Sequence, residues 1–259
     1  MRPKLDAKNS YTKADNSVVV ATDTIKNTTY IMAKQNPVSP PESFAAILGT
    51  HFIETYEHIW LAHVEIVIQR WARMVIGGQN HPHSFFRDDK ECRAAEVHVH
   101  SKKGIDIRSS LSGLLVLKST GSQFHGFMRD DYTTLPDLYD RILSTSIDAS
   151  WKWETFSDKR HVISKTEDFD NTWMGVRDVT MKTFAEDSSA SVQNTMYKTC
   201  EQVLASYPTV ASISYALPNN HYFEIDLSWH HGLQNTGRDA TVYAPQSNPN
   251  GLIKCTVTR

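Results

Sequence analysis

The chain has 259 residues, 40% of them hydrophobic and 22% charged, a globular mix that excludes disorder or a coiled coil as a description of the whole. With 27 Lys plus Arg against 29 Asp plus Glu the formal charge is −2, which excludes a protein built to neutralise a phosphate backbone, so no nucleic-acid partner is expected. No run of about 18 apolar residues is present, so no membrane partner is expected, and Cys92, Cys200 and Cys255 are too scattered to read as anything but free thiols. The opening residues carry no periodicity. From Ser17, the β-branched run Val18-Val19-Val20-Ala21 followed by the polar Thr22-Asp23 predicts an interrupted strand. Ser39-Pro40-Pro41-Glu42 is a helix start, with Ser at the N-cap, Pro in the first turn and Glu three residues on. Phe44, Ile47, Leu48, Phe52 and Tyr56 follow at helical spacing.

Val64, Ile66 and Ile68 alternate with His63, Glu65 and Gln69, the pattern of a strand with one buried face, and Gly77-Gly78 supplies a turn. Ser101-Lys102-Lys103-Gly104 marks a boundary, giving domains over 11–103 and 104–259. In the second half, Trp173 to Phe184, with Val176, Val179 and Met181, predicts β structure. Ser189 or Ser191 opens a helix carrying Val192, Met196, Cys200, Val203 and Tyr207, halted by Pro208. Strands Thr209–Leu217 and His221–Trp229 follow, joined by a turn at Leu217-Pro218-Asn219-Asn220. Strands, helix and strands stated twice predict an α+β fold of two tandem modules, each an antiparallel sheet with helices on one face.

The chemistry visible in the letters is sparse. His81-Pro82-His83 and His98-Val99-His100 each place two imidazoles two residues apart, as zinc ligands on a strand can be. No Cys or carboxylate is read at ligand spacing beside them, so the first pair reads as polar loop and the second as a solvated strand face. His58 and His63, at a helix-to-strand junction, read the same way. No metal site is expected, and no Gly-rich phosphate loop, nucleophile elbow or His-Glu-x-x-His motif points to a cofactor. More informative are polar groups at element ends. Gln193 and the backbone of Val192 lie in a first helical turn, where outward N–H donors favour an anionic or carbonyl-rich ligand. His221 follows a turn bearing Asn219, and Arg141 follows the aromatic stretch Phe124-His125-Gly126-Phe127. A cap, a hairpin turn and a surface arginine are the bland equivalents.

Longer stretches carry a resemblance. LVLKSTGSQFHGF over 115–127, continuing through Tyr132 and Leu135 to Arg141, resembles the signature of urate oxidase (uricase), the fungal enzymes in particular. So do SYTKADNS over 10–17, Ala21-Thr22-Asp23, Ser84-Phe85 after His-Pro-His, and NNHYFEIDLSW over 219–229. The resemblance implies the tunnelling fold (T-fold), a homotetramer with active sites at subunit interfaces, and cofactor-free oxidation of urate by O2 and water to 5-hydroxyisourate and H2O2. It implies that Arg141 and Gln193 grip two edges of the purine, Phe124 stacks on it, the Val192 N–H donates to a carbonyl and Leu135 lines the pocket. It further implies that Thr22 and Asp23 come from a neighbouring subunit, that Asn219 holds O2 or water above the ring, and that His221 and the Thr22 hydroxyl relay protons.

The family also carries a catalytic Lys on an N-terminal strand upstream of where this chain begins to match. The expectation is therefore an N-terminally truncated uricase, its first module without the opening strands and its activity impaired. None of Lys4, Lys8 and Lys13 is assigned the role. A catalytically silent purine-binding or oligomerising T-fold module is the alternative; a zinc-dependent relative, like the pterin-making enzymes of the same fold, is a third. The family implies a peroxisomal location, although the chain ends in Cys255-Thr-Val-Thr-Arg259 rather than a Ser-Lys-Leu-type signal.

Overall fold

The computed structural model describes residues 8–87, 90–249 and 251–259, so Lys4 lies outside the described residues. In chain order, three helices come first: α1 (Lys8–Thr12), α2 (Thr22–Gln35) and α3 (Pro41–Thr55). Six strands follow: β1 (Leu61–Gln69), β2 (Ala72–Ile76), β3 (Gln79–Phe86), β4 (Cys92–His100), β5 (Gly104–Lys118) and β6 (Leu143–Trp153). Then come α4 (Lys159–Ser164), α5 (Thr166–Glu186), α6 (Val192–Ser206), β7 (Val210–Asn220), β8 (Tyr222–Glu224), β9 (Tyr243–Pro245) and β10 (Leu252–Thr258). This mixture of helices and antiparallel pairs is the α+β class expected. No helix among the described residues is long and apolar enough to cross a membrane.

The chain forms two compact units. Of the described residues, the first gathers 8–68, 93–109 and 152–173. Its sheet runs in the order β1-β4-β5. Along β4, Ala95, Val97 and Val99 are buried while Glu96, His98 and His100 alternate onto the open face. Helix α3 meets the buried face with Ala45, Ala46 and Leu48, and it comes so close that a Cβ on Gly49 would lie 2.6 Å from Val99 Cγ2. Between the first turn of α3 and the sheet lies a charged interior: Glu42 is fully buried and accepts from Ser109 Oγ (2.6 Å) and Arg93 Nη2 (2.8 Å).

The second unit gathers residues 69–92, 110–151 and 174–259, with sheet order β5-β6-β7-β10 and a separate β2-β3 hairpin turned at Gly77-Gly78. Helix α6 buries Met196, Cys200 and Val203, and β7 buries Val210, Ile213 and Tyr215. The Thr180 and Tyr215 hydroxyls bond at 2.7 Å in this core, and burial pushes the Tyr215 phenol well above its ordinary range. Glu91, 3% exposed, accepts from Arg177 Nε (2.6 Å) and Nη2 (3.0 Å) and from Arg70 Nη1 (2.7 Å).

Six local expectations are overturned. The strand after Ser17 is not formed; the chain turns and enters α2 at Thr22. Asp23 in its first turn pairs with Lys26 (3.0 Å) and accepts from Asn27 Nδ2 (2.9 Å), contacts only a helix supplies, and the isolated valine run has no alternation to oppose them. The cap of α3 is Pro40 rather than Ser39, and Glu42 turns inward to the Arg93 site instead of back to the cap. Residues 173–184 are helical, within α5. Phe169, Thr172, Val176, Thr180 and Thr183 form its buried stripe at steps of three and four, but three of the five are threonines, so the period is faint in the letters. His81 and His83 lie on strand β3, not in a loop.

The long strand His221–Trp229 shrinks to β8, paired with β9. Beyond Glu224, Asp226 accepts the Ser228 N–H (2.9 Å), which turns the chain and ends the strand. Phe223 and Trp229 are exposed, at 51% and 78%. The buried Asn235 holds this loop by donating to the carbonyls of Ile225 and Val242 and accepting from the N–H groups of Thr241 and Val242. The turn expected at Leu217 to Asn220 is also absent, because those residues continue β7, with Leu217 opposite Ile253 and Pro218 opposite Leu252.

Candidate active site

Arg141 stands just before β6 and is half-buried in the second unit. Its Nε donates to the buried Ser122 Oγ at 3.4 Å, and its guanidinium carbon lies 5.6 Å from the centre of the Phe124 ring. Burial lowers its pKa, yet a guanidinium holds its proton so tightly that it stays charged. Among the described residues no acceptor takes its terminal Nη groups. A fork of fixed geometry is thus left aimed beside an aromatic ring, the arrangement that receives a flat ligand with paired acceptors on one edge. Phe127 stacks on Phe124 with ring centres 5.0 Å apart and planes 13° apart.

Backbone bonds bring this corner to the start of α6. Phe124 N–H donates to Leu138 O (2.7 Å) and Leu138 N–H to Phe124 O (2.9 Å), closing the base of a loop with Leu135 exposed near its end. Gln123 N–H donates to Ser189 O (2.7 Å), and Ser189 N–H to Gly121 O (3.0 Å). Ser191 then caps α6, its hydroxyl accepting the Asn194 N–H at 3.2 Å. Val192 is buried with its N–H among the open donors of the helix start, and Gln193 is exposed beside it with no protein partner among the described residues.

Asp140 and its neighbours, which the sequence did not single out, lock the corner. The Asp140 carboxylate accepts from Thr120 Oγ1 (2.6 Å) and from the Gly121 N–H (2.8 Å). The Thr120 hydroxyl holds its pKa below the ordinary carboxylate range; burial opposes this, and the N–H groups of Gly121, Arg141 and Ser122 reinforce it. A depressed folded-state pKa stabilises the fold above the unfolded value and loses that contribution as pH falls through the folded value. The window therefore lies below about pH 4. Asp140→Asn is expected to flatten the acid limb of the stability–pH curve, read by thermal melting between pH 5 and 2.5. An unchanged limb in the variant would count against this assignment. An aspartate twenty residues from the Thr-Gly turn it binds carries no spacing signal, which is why the letters do not reveal it.

Asn219 and His221 come together at the end of β7. Asn219 Nδ2 lies 3.3 Å from His221 Nε2, and the His221 ring stacks on Phe223 at 5.5 Å. Both are held by main chain: Asn219 N–H donates to Gly251 O (3.0 Å) and Gln246 N–H to His221 O (2.9 Å). Thr22 and Asp23 belong to the first unit, at the exposed start of α2. Ala21 at the cap offers no side-chain bond, so the N–H groups there are open donors.

The family model described as Uricase matches residues 5–98 and 107–254. The chain is 66% identical over 250 residues to the uricase of Aspergillus flavus, covering 96% of this chain and 83% of that protein. It is 47% identical to the uricase of Schizosaccharomyces pombe, again covering 96% of this chain and 83% of the other. The crystal structure of the uricase from Arthrobacter globiformis matches with a TM-score of 0.85 at 35% identity, covering 98% of this chain and 82% of that one.

Proposed function

The chain belongs to the uricase family, and we propose that it oxidises urate with O2 and water to 5-hydroxyisourate and H2O2, without a cofactor. The observation that carries this is the half-buried Arg141 fork, open at both Nη groups and set beside the Phe124 ring. Urate is flat and anionic, with a carbonyl and a ring nitrogen side by side on its edge, so the fork and the ring complement it together. Gln193 can donate and accept on an opposite edge, the Val192 N–H can donate to a carbonyl, and Leu135 adds an apolar wall.

The reaction removes two electrons and two protons from urate, passes them to O2 as H2O2, and adds water at C5. The substrate must gain anionic character before it can reduce O2, and fixed donors around that charge stabilise it. In our reading Thr22 and Asp23 of a neighbouring copy supply N–H donors to the five-membered ring, the Thr22 hydroxyl and His221 relay the proton, and Asn219 holds O2 or the attacking water. That arrangement requires a homo-oligomer, for which family resemblance supports a tetramer, as it supports a peroxisomal location. The reading is tested by incubating the purified chain with urate and measuring urate loss, O2 uptake and H2O2. Equimolar consumption and release support it; tight urate binding without turnover would point instead to a silent purine-binding module.

A further inference from the structure

On the open face of the first unit's sheet, β1 and β4 bring together His63, Glu96 and His98, the one group of three such ligand types converging among the described residues. The pattern arises from strand alternation: with Ala95, Val97 and Val99 turned into the core, Glu96 and His98 must share the opposite face, and His63 joins them from the neighbouring strand. The carboxylate that the sequence reading did not see beside the histidines is Glu96, two residues before His98. His63 Nε2 lies 3.3 Å and His98 Nε2 3.8 Å from the same Glu96 Oε1, and the three ligand atoms all fall within 4.8 Å of one another.

Both contacts are of ion-pair length, but two ion pairs to one carboxylate would need both rings charged. The two imidazoles are stacked, with ring centres 4.4 Å apart and planes 17° apart, so two imidazolium charges there would repel. The 3.8 Å contact is also too long for a hydrogen bond. Ligand atoms about 2.0–2.1 Å from a tetrahedral metal are about 3.3–3.4 Å apart, and a contraction of a few tenths of an ångström would bring the longer contact to that value. Two ring nitrogens and one carboxylate oxygen suit zinc and its first-row neighbours rather than magnesium or calcium. With side chains 48%, 39% and 36% exposed, the fourth position opens to solvent. His100 pairs separately with Asp106 at 3.4 Å on the same face.

We propose that His63, Glu96 and His98 form a surface site for a divalent transition-metal ion such as Zn²⁺, distinct from the residues assigned to urate. The test is titration of the chelator-stripped full chain with Zn²⁺ by calorimetry, repeated with Co²⁺ while its visible absorbance is followed. The expected result is one saturable ion per chain and a tetrahedral Co²⁺ spectrum. Glu96→Gln and His98→Ala should each weaken binding at least about tenfold, and His81→Ala should leave it unchanged. Circular dichroism confirms that the variants are folded, and the near-isosteric Glu96→Gln guards against a loss caused by repacking. No saturable binding by the wild type, or equal binding by the folded variants, would overturn the proposal.

Discussion

Arg141→Ala is expected to lower kcat/KM for urate by about 10²–10⁴-fold. The side chain's own fold contacts are slight, one 3.4 Å bond to Ser122 and a 5.6 Å approach over the Phe124 ring, so its guanidinium is held mainly for a ligand. Hydrogen bonds to a charged group contribute about 1.5–3 kcal/mol each, and the fork offers two. Arg141→Lys keeps the charge but replaces the planar pair of donors with a point, so it should recover only part of the loss. Because little of the fold rests on Arg141, both variants should melt within a few degrees of the wild type. A variant that melts normally and turns over urate at the wild-type rate would remove Arg141 from the site.

Glu42→Ala is expected to be the most destabilising single substitution in the first unit, at about 3–5 kcal/mol. Glu42 joins a continuous polar interior: Arg93 Nη1 also reaches Asp170 Oδ1 at 2.5 Å, its guanidinium carbon lies 5.6 Å from the Trp173 ring centre, and Ser109 Oγ accepts from Trp153 Nε1 at 2.9 Å. Removing the carboxylate leaves a nearly buried guanidinium with only the half-exposed Asp170 as counter-charge, and its Nε is already without a partner. For a chain of this size about 1 kcal/mol corresponds to roughly 2–4 °C, so melting should fall by about 6–20 °C. Glu42→Gln keeps an acceptor for Ser109 and should lose less. A melting temperature for Glu42→Ala within about 2 °C of the wild type would show that Asp170 alone suffices.

What the letters disclosed follows from where their signals are local. Helix α3, strand β1 and helix α6 are strongly periodic or sharply capped, and each forms where the pattern places it. Helix α5 was hidden because Thr172, Thr180 and Thr183 serve as buried residues, the last two bonding their hydroxyls within the fold, and a polarity pattern counts them as surface. The strand after His221 was over-extended because its alternation is genuine, while what stops it is the Asp226 turn and the distant Asn235. The same limit holds in the site. Arg141, Gln193 and His221 were legible as polar groups at element ends, and their resemblance to a family gave them roles. Asp140, Ser122 and Ser189 were not, because their work consists of bonds to residues remote in the chain. The grouping of His63 with Glu96 and His98 likewise depends on which strands are neighbours.

The most direct test of the account is a single-vessel assay of the purified 259-residue chain, stripped with chelator, in which urate loss, O2 uptake and H2O2 release are followed together. The account predicts one O2 consumed and one H2O2 released per urate, undiminished by the chelator and lost with the Arg141→Ala side chain. A chain that is folded by circular dichroism and oxidises no urate, or that does so only after metal is restored, would contradict it.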